Sequence, residues 1–253
     1  MEKQEIRFPG GNTAQAVLAS TQAHVDNLAR TLDLPYFKAV ILLAGGAAFM
    51  QQPSGAGLQA LFTEGLAAAA AALDAMIIDG GTENGVMALM GQGVAQQEHK
   101  PVLLGVSPAG QVRYPGKTGG EKDSSQLDPN HSHFVLVESD EWGGETAMMY
   151  KLGQYLATGR PSVAVLVNGG EIARNEILYN VRQRRPIIVI EGSGRLADDI
   201  AGLWREKSAP PSDETLAEIM KDGAIHLFPL TGTPQQLRQV LFTLLDTEGE
   251  FLP

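Results

Sequence analysis

Three glycine-bearing turns between Leu127 and Asp199 carry residue types suited to gripping an anion. Their strings are LDPNHSHFVLVESDEWGGE, SVAVLVNGGEIARNEI and PIIVIEGSGRLADDIA. Each sets an apolar β-type run before a glycine turn and a helix-like stretch after it. A strand tip that opens straight into a helix brings unpaired backbone N–H groups and about half a positive charge to one point. Phosphate or carboxylate is the natural occupant. Two earlier turns, Ala44-Gly45-Gly46-Ala47 and Asp79-Gly80-Gly81-Thr82, repeat the pattern. A single Gly-Gly pair is explained by tight strand-to-helix turning. Four turns (these two, Asn168-Gly169-Gly170-Glu171 and Glu191-Gly192-Ser193-Gly194) at one sheet edge point instead to a ligand-binding edge.

Around the glycines stand the polar candidates. Arg195, at the first turn of a helix, can hold a phosphate bidentately while neighbouring N–H groups take the other oxygens; its alternative is a surface pair with Asp198 or Asp199. Ser193 can donate to the same anion. Thr82, Gly85, Asn168 and Glu171 complete the turns, and Trp142 stands before a glycine, where a Trp commonly packs at a core or rim. Asp79 at a strand tip suits ribose hydroxyls, as acidic residues do in dinucleotide folds. His131 and His133 have the i, i+2 spacing that shares one strand face. They lack the further donors a metal site needs, so no metal is expected. Asp128, Asn130 and His131 are expected to fasten their loop by side-chain to backbone hydrogen bonds.

These residues need a scaffold that points strand tips one way. Near-continuous apolar runs predict strands over Lys38–Leu43, Ala75–Asp79, Val102–Val106, His133–Glu138, Val163–Asn168, Ile187–Glu191 and Ala224–Phe228. Such runs belong to parallel strands buried on both faces. Helices are expected over His24–Leu32, Leu58–Leu73, Asn84–Gln97, Glu145–Ala157, Ile172–Arg184, Arg195–Glu206, Thr215–Lys221 and Pro234–Leu245. The alternation predicts one α/β domain over residues 1–253, with a core about 38–247: a Rossmann-like, doubly wound, mostly parallel sheet with helices on both faces. Ser107–Gln126 and Lys207–Asp213 read as inserted loops; Pro210-Pro211 and the tail Glu248–Pro253 read as solvated segments. Ala67–Ala72 reads as a helix packed closely on the sheet.

Composition narrows the function. A formal charge of −10 argues against sequence-independent binding to nucleic acid. With no cysteine there is no disulfide framework and no thiolate chemistry, which fits a reducing compartment such as the cytoplasm. No apolar run approaches the roughly 20 residues that cross a bilayer, so direct membrane insertion is not expected. Walker A is absent, and no GxGxxG follows the first strand, which removes P-loop NTPases and NAD-linked dehydrogenases.

DGGTENGVM, LDPNHSHFVLVES, VAVLVNGG and PIIVIEGSGRLADDIA, in that order over roughly Val40–Ala201, resemble the LSDAT branch of the SLOG superfamily. That Rossmann-like module occurs in melastatin-type TRP cation channels and in free-standing bacterial proteins. The resemblance implies recognition of a nucleotide-derived small molecule of the ADP-ribose type, with no cofactor required. It also implies a sensor in bacterial conflict systems that signals to an effector, in some cases a separately encoded membrane protein. A homo-oligomer is compatible with the sequence. Residue by residue, Gly80, Gly81 and Gly85 match the first phosphate turn, Gly169 and Gly170 the second, and Gly192, Ser193, Gly194 and Arg195 the third; Gly45 and Gly46 share the edge. The resemblance also implies that Trp142 stacks on a base. The channel modules carry threonine where Asp79 stands and a basic residue near Met149, so a phosphate contact is either missing or supplied by Lys151, Arg174, Lys117 or Arg113.

A neighbouring branch, the Lonely Guy type phosphoribohydrolases, has the pattern GGxGTxxE. Gly169-Gly170-Glu171-Ile172-Ala173-Arg174-Asn175-Glu176 keeps the two glycines and the last glutamate but lacks the Gly-Thr. Glu176 is therefore the candidate catalytic carboxylate of an alternative, N-glycosidic hydrolase reading. The bland alternative is that Glu171 and Glu176 merely favour a helix N-terminus.

Overall fold

Eight runs of five to seven mostly apolar residues become neighbouring strands of one sheet, because each can be satisfied only by ladders on its edges and helices on its faces. The computed structural model describes residues 1, 3–46, 55–117, 124–206 and 211–245. The chain opens with β1 (Lys3–Arg7) and β2 (Thr13–Ala19), then α1 (Val25–Leu32) and β3 (Ala39–Gly45). Next come α2 (Gly55–Ala60), a π-helical stretch Leu61–Ala67, α3 (Ala68–Ala72), β4 (Ala75–Asp79) and α4 (Gly85–Ala95). β5 (Leu103–Pro108) leads to a small ladder of β6 (Val112–Arg113) and β7 (Ser125–Gln126), then β8 (His133–Val137) and α5 (Thr146–Leu156). The chain continues through β9 (Ser162–Val167), α6 (Glu171–Arg182), β10 (Ile187–Glu191), α7 (Arg195–Glu206), α8 (Glu214–Asp222), β11 (Ile225–Pro229) and α9 (Pro234–Leu245).

The nine strands lie in the order β1-β2-β8-β5-β4-β3-β9-β10-β11. All neighbours are parallel except β1, which runs antiparallel to β2. The architecture is the doubly wound α/β sheet expected. β3 shows why: Ala39, Ile41 and Leu43 belong to a core shared with α4, α9 and the Leu61–Ala67 stretch, whereas Val40 and Leu42 face α1 and α5. A third cluster packs α6 and α7 on the same side as α5, against Leu166, Ile187 and Val189. Ala67, Ala69 and Ala70 are wholly buried against the first core, the close packing their small side chains permit.

One part of the sheet differs from expectation. The hairpin β1–β2 adds two strands ahead of Lys38 and closes a fourth apolar cluster of Ile6, Phe8, Ala14, Ala16 and Phe134. Of the five residues of β1 only Ile6 is buried, because β1 is an edge strand. The stretch Ser107–Gln126 is not wholly irregular either: Ser107 and Pro108 extend β5, and β6 pairs with β7. Pro210 and the tail Glu248–Pro253 lie outside the described residues, as does Ala47 of the first glycine turn. Among the described residues no helix is long and apolar enough to cross a membrane.

The order also places the ligand edge. From β3 the chain winds outward through β4, β5 and β8, then returns to place β9 on the other side of β3. The strand order reverses between β3 and β9, and a crevice opens there beyond the carboxyl ends of the strands.

Candidate functional site

That crevice is a cleft of about 530 Å³, within the ~300–1,000 Å³ typical of small-molecule sites. Tips of β3 (Gly45, Gly46) and β4 (Gly80, Thr82), the start of α6 (Gly170, Glu171, Ile172, Ala173) and Arg195 line it. Trp142 and Glu145 from the turn after β8, Glu176 deeper in α6, and the apolar Leu43 and Met87 complete the wall. The strand tips that bear the glycines belong to adjacent parallel strands, β4-β3-β9-β10, so the four turns do share one edge.

The rim is built for negative charge. α6 begins at Gly170 with no side-chain cap, which leaves its first N–H groups to water or a ligand. The Arg195 guanidinium lies over that start: a Cβ at Gly170 would sit 2.5 Å from Arg195 Nη2, so glycine is what lets the cation approach. Arg195 makes no ion pair among the described residues; Asp198 instead accepts the Gly192 N–H at 2.6 Å. The guanidinium and the helix start thus lie together, with no carboxylate bonded to either among the described residues. Arg195 also adopts φ +50°, a left-handed conformation costly for a long side chain and found where surroundings enforce it.

The stitching between the second and third turns explains other residues. Asn168, itself left-handed at φ 59°, donates its N–H to Ser193 Oγ at 2.7 Å and its side-chain amide to Ser193 O at 2.8 Å. Asn168 Oδ1 accepts the Gly169 N–H, and Ser193 Oγ donates to Ile190 O at 2.6 Å. The one proton of Ser193 is therefore held inside the fold, and Asn168, Gly169, Gly192, Ser193 and Gly194 shape the rim from behind without lining the cleft. Gly81 has a similar part. At φ +70° it brings its turn so close to β5 that a Cβ would lie 2.8 Å from Gly105 Cα. Gly85, at φ +52°, opens α4 and is not in the lining.

Asp79 is fully buried, not a lining residue. Its Oδ1 accepts the Gly81 N–H at 2.7 Å and meets His131 Nε2 at 2.8 Å, while His131 Nδ1 reaches Asp128 Oδ1 at 3.1 Å. Burial works against charge on His131, but Asp79 and Asp128 outweigh it and raise its pKa to about 9. An imidazolium clamped between two aspartates thus fixes the Gly80-Gly81 turn. Asp128 Oδ1 also accepts the Asn130 N–H at 2.9 Å, the loop fastening expected there. His133 takes another course: it bonds Ser132 Oγ, and burial drives its pKa down to about 4. The described residues contain no cluster of three metal-type donors.

At the floor lie Glu145 and Glu176. Burial, then Glu145, then Asp79 push the Glu176 carboxyl up to about 8, and burial lifts Glu145 to about 7. Glu145 does not stand out in the sequence as a site residue, although Trp142-Gly143-Gly144-Glu145 repeats the Gly-Gly-Glu of Gly169-Gly170-Glu171. That repeat is the local signal for it. Glu171 is turned outward and paired with Arg174, which also holds Asp213 at 2.5 Å. Lys117 donates to Val112 O at 2.6 Å. None of Lys117, Arg174, Lys151 and Arg113 lines the cleft, so Arg195 is its one cation among the described residues.

A cavity of about 570 Å³ at the opposite edge, bordered by Tyr36, Lys38 and Arg160, is no smaller. There the guanidinium is already engaged by Phe37 O at 3.1 Å, Leu156 O at 3.3 Å and the Phe37 ring. The cleft at the strand tips, whose cation has no ion pair among the described residues, is the better candidate.

Comparison with known proteins fixes the family. The family model described as SLOG in TRPM, prokaryote, matches residues 38–239. The chain belongs to the prokaryotic LSDAT family. This LSDAT chain is similar to transient receptor potential cation channel subfamily M member 2 of Mus musculus, 28% identical over 199 residues, covering 65% of the chain and 13% of the channel. It is similar also to a subfamily M member-like 2 channel of Nematostella vectensis, 29% identical over 196 residues, covering 62% of the chain and 12% of the channel. A transient receptor potential channel of Caenorhabditis elegans is 30% identical over 196 residues, 64% of the chain and 9% of the channel. The LSDAT chain thus corresponds to a small part of each channel.

Proposed function

We propose that this LSDAT protein binds a nucleotide-derived ligand of the ADP-ribose type in the cleft at the strand tips and reports its occupancy to an effector partner. The observation that carries the reading is Arg195, set over the uncapped start of α6 with no carboxylate partner among the described residues. A pyrophosphate satisfies both: its oxygens take the free N–H groups and the guanidinium, in the geometry that favours bidentate Arg. Trp142, 43% exposed at the mouth, offers a face for adenine. The effector is a separate protein, of the membrane-spanning kind that some bacterial relatives accompany, and no further cofactor is needed. Calorimetric titration with ADP-ribose, ADP, AMP, NAD and a DNA fragment tests the reading. Saturable binding of ADP-ribose is expected; silence from every nucleotide at millimolar concentration, with DNA bound at physiological salt, contradicts it.

A second reading, N-glycosidic hydrolysis, draws on one observation: the Glu176 carboxyl lines the cleft beside the start of α6, where burial and then Glu145 push its pKa up to about 8. Against it, Ile172 and Ala173 occupy the crowded turn where the hydrolase pattern has Gly-Thr. AMP, NAD and ADP-ribose are expected to survive prolonged incubation. Release of free base or ribose phosphate, lost in Glu176→Gln with binding retained, would promote the enzyme.

A further inference from the structure

Beneath the anion-binding rim the cleft ends in two carboxyl groups of separate origin. Glu145 stands at the start of α5 and Glu176 on the second turn of α6, helices that pack side by side. Both line the cleft although only 5% and 7% of their surfaces are exposed. Glu145 Oε2 is buried and has no hydrogen-bond partner among the described residues. Buried acceptors are seldom left unpaired, and one that lines a cleft is met when a ligand brings the donor.

We infer that Glu145 and Glu176 are the sugar-reading end of the site, taking the hydroxyl groups of the ligand's terminal ribose while its pyrophosphate lies on α6 and Arg195. The inference rests on the ADP-ribose reading and adds to it an orientation and a source of specificity. Phosphate is disfavoured at this end, because an ionised phosphate brings no donor for Glu145 Oε2 and meets whatever charge the pair and Asp79 behind it carry. A vicinal diol fits: it offers two donors and two acceptors, and a pair of acids that keeps one proton offers both kinds in return.

The surroundings hold that proton. Facing the pair are Asp79 from the tip of β4, with His131 behind it, and Tyr150 from α5; Arg195 stands at the rim, where Glu171 turns outward to Arg174. Burial and the neighbouring carboxylates keep Glu176 protonated up to about 8. Above that pH the donor is lost and the two charges repel.

The test titrates ADP-ribose and ADP, which lacks the terminal ribose, into the wild type, Glu145→Ala, Glu176→Ala and Glu176→Gln at pH 6.5 and pH 9. The wild type at pH 6.5 should bind ADP-ribose at least about tenfold more tightly than ADP. Either alanine variant should reduce that preference to about threefold or less while ADP affinity stays within about twofold, which also reports an intact fold. Glu176→Gln, a neutral group with both donor and acceptor, should keep the preference and hold it at pH 9, where the wild type loses it. A preference that persists in both alanine variants, or a parallel loss of ADP binding, overturns the sugar-reading role and leaves the nucleotide reading standing. If the wild type binds neither ligand, the nucleotide reading fails and this inference fails with it.

Discussion

The rim and the floor of the cleft are opposites in chemistry. The rim is backbone and one guanidinium, Arg195, with no carboxylate partner among the described residues; the floor is a pair of buried acids, Glu145 and Glu176, backed by Asp79, which His131 bridges to Asp128. Positive features lie where water can screen them, and acids lie where burial must neutralise or pair them. A rim of that kind contributes affinity at little cost to the fold. A floor of that kind couples recognition to stability, since each buried acid must be protonated or clamped.

The largest effect should come from breaking the clamp. His131→Ala removes the cation between Asp79 and Asp128 and leaves buried carboxylates uncompensated, which should destabilise the protein by about 3–5 kcal/mol. Chemical denaturation measures it. A loss under about 1 kcal/mol would mean that the aspartates relax or hydrate without the imidazole.

Next is the rim. Arg195→Ala should weaken ADP-ribose by about 1.5–3 kcal/mol, the scale of a charged hydrogen bond, and leave unliganded stability nearly unchanged. Calorimetry with a parallel melt separates the two quantities. Equal losses in both would remove the contrast between rim and floor.

The pH dependence sharpens the floor alone. Glu176, raised from 4.5 to about 8, contributes stability that is fully present below 4.5 and lost as pH rises through 8. Glu145, raised to about 7, and His131, raised from 6.5 to about 9, act in the same direction. Unliganded stability should therefore decline between pH 5 and pH 9. Glu176→Gln should flatten that decline and exceed the wild type at pH 9 by roughly 1–3 kcal/mol. Denaturant midpoints across pH check it; parallel curves would place the titration elsewhere.

The smallest effect belongs to the mouth. Trp142→Ala should cost ADP-ribose about 0.5–1.5 kcal/mol if the indole stacks on adenine, and a ribose phosphate without base nothing. Equal losses for both ligands would assign Trp142 to packing.

The same contrast explains what the sequence discloses. The rim is local: a β-type run, a glycine turn and a helix start are contiguous residues, so Gly170 and Arg195 stand out before any fold is known. The parallel strands are equally legible because burial on both faces leaves no polar residue in runs such as Ala39–Leu43. The floor is not local. Asp79 and His131 are 52 positions apart and meet only through the β4-β5-β8 pairing, so neither residue reveals the other. Glu145 is hidden for another reason: a glutamate before a helix is already accounted for by the helix dipole. The hairpin β1–β2 escapes a search for continuous apolar runs because the edge strand β1 leaves charged residues in solvent.

The central claim is that one cleft holds a nucleotide derivative with its phosphates on the rim and its terminal sugar on the floor. A crystal structure of the protein saturated with ADP-ribose tests it most directly. The account predicts pyrophosphate oxygens within about 3.2 Å of the first N–H groups of α6 and of the Arg195 guanidinium, with the terminal ribose against Glu145 and Glu176. ADP-ribose bound instead in the cavity beside Tyr36 and Arg160, or in the cleft with its phosphates away from α6, would contradict it.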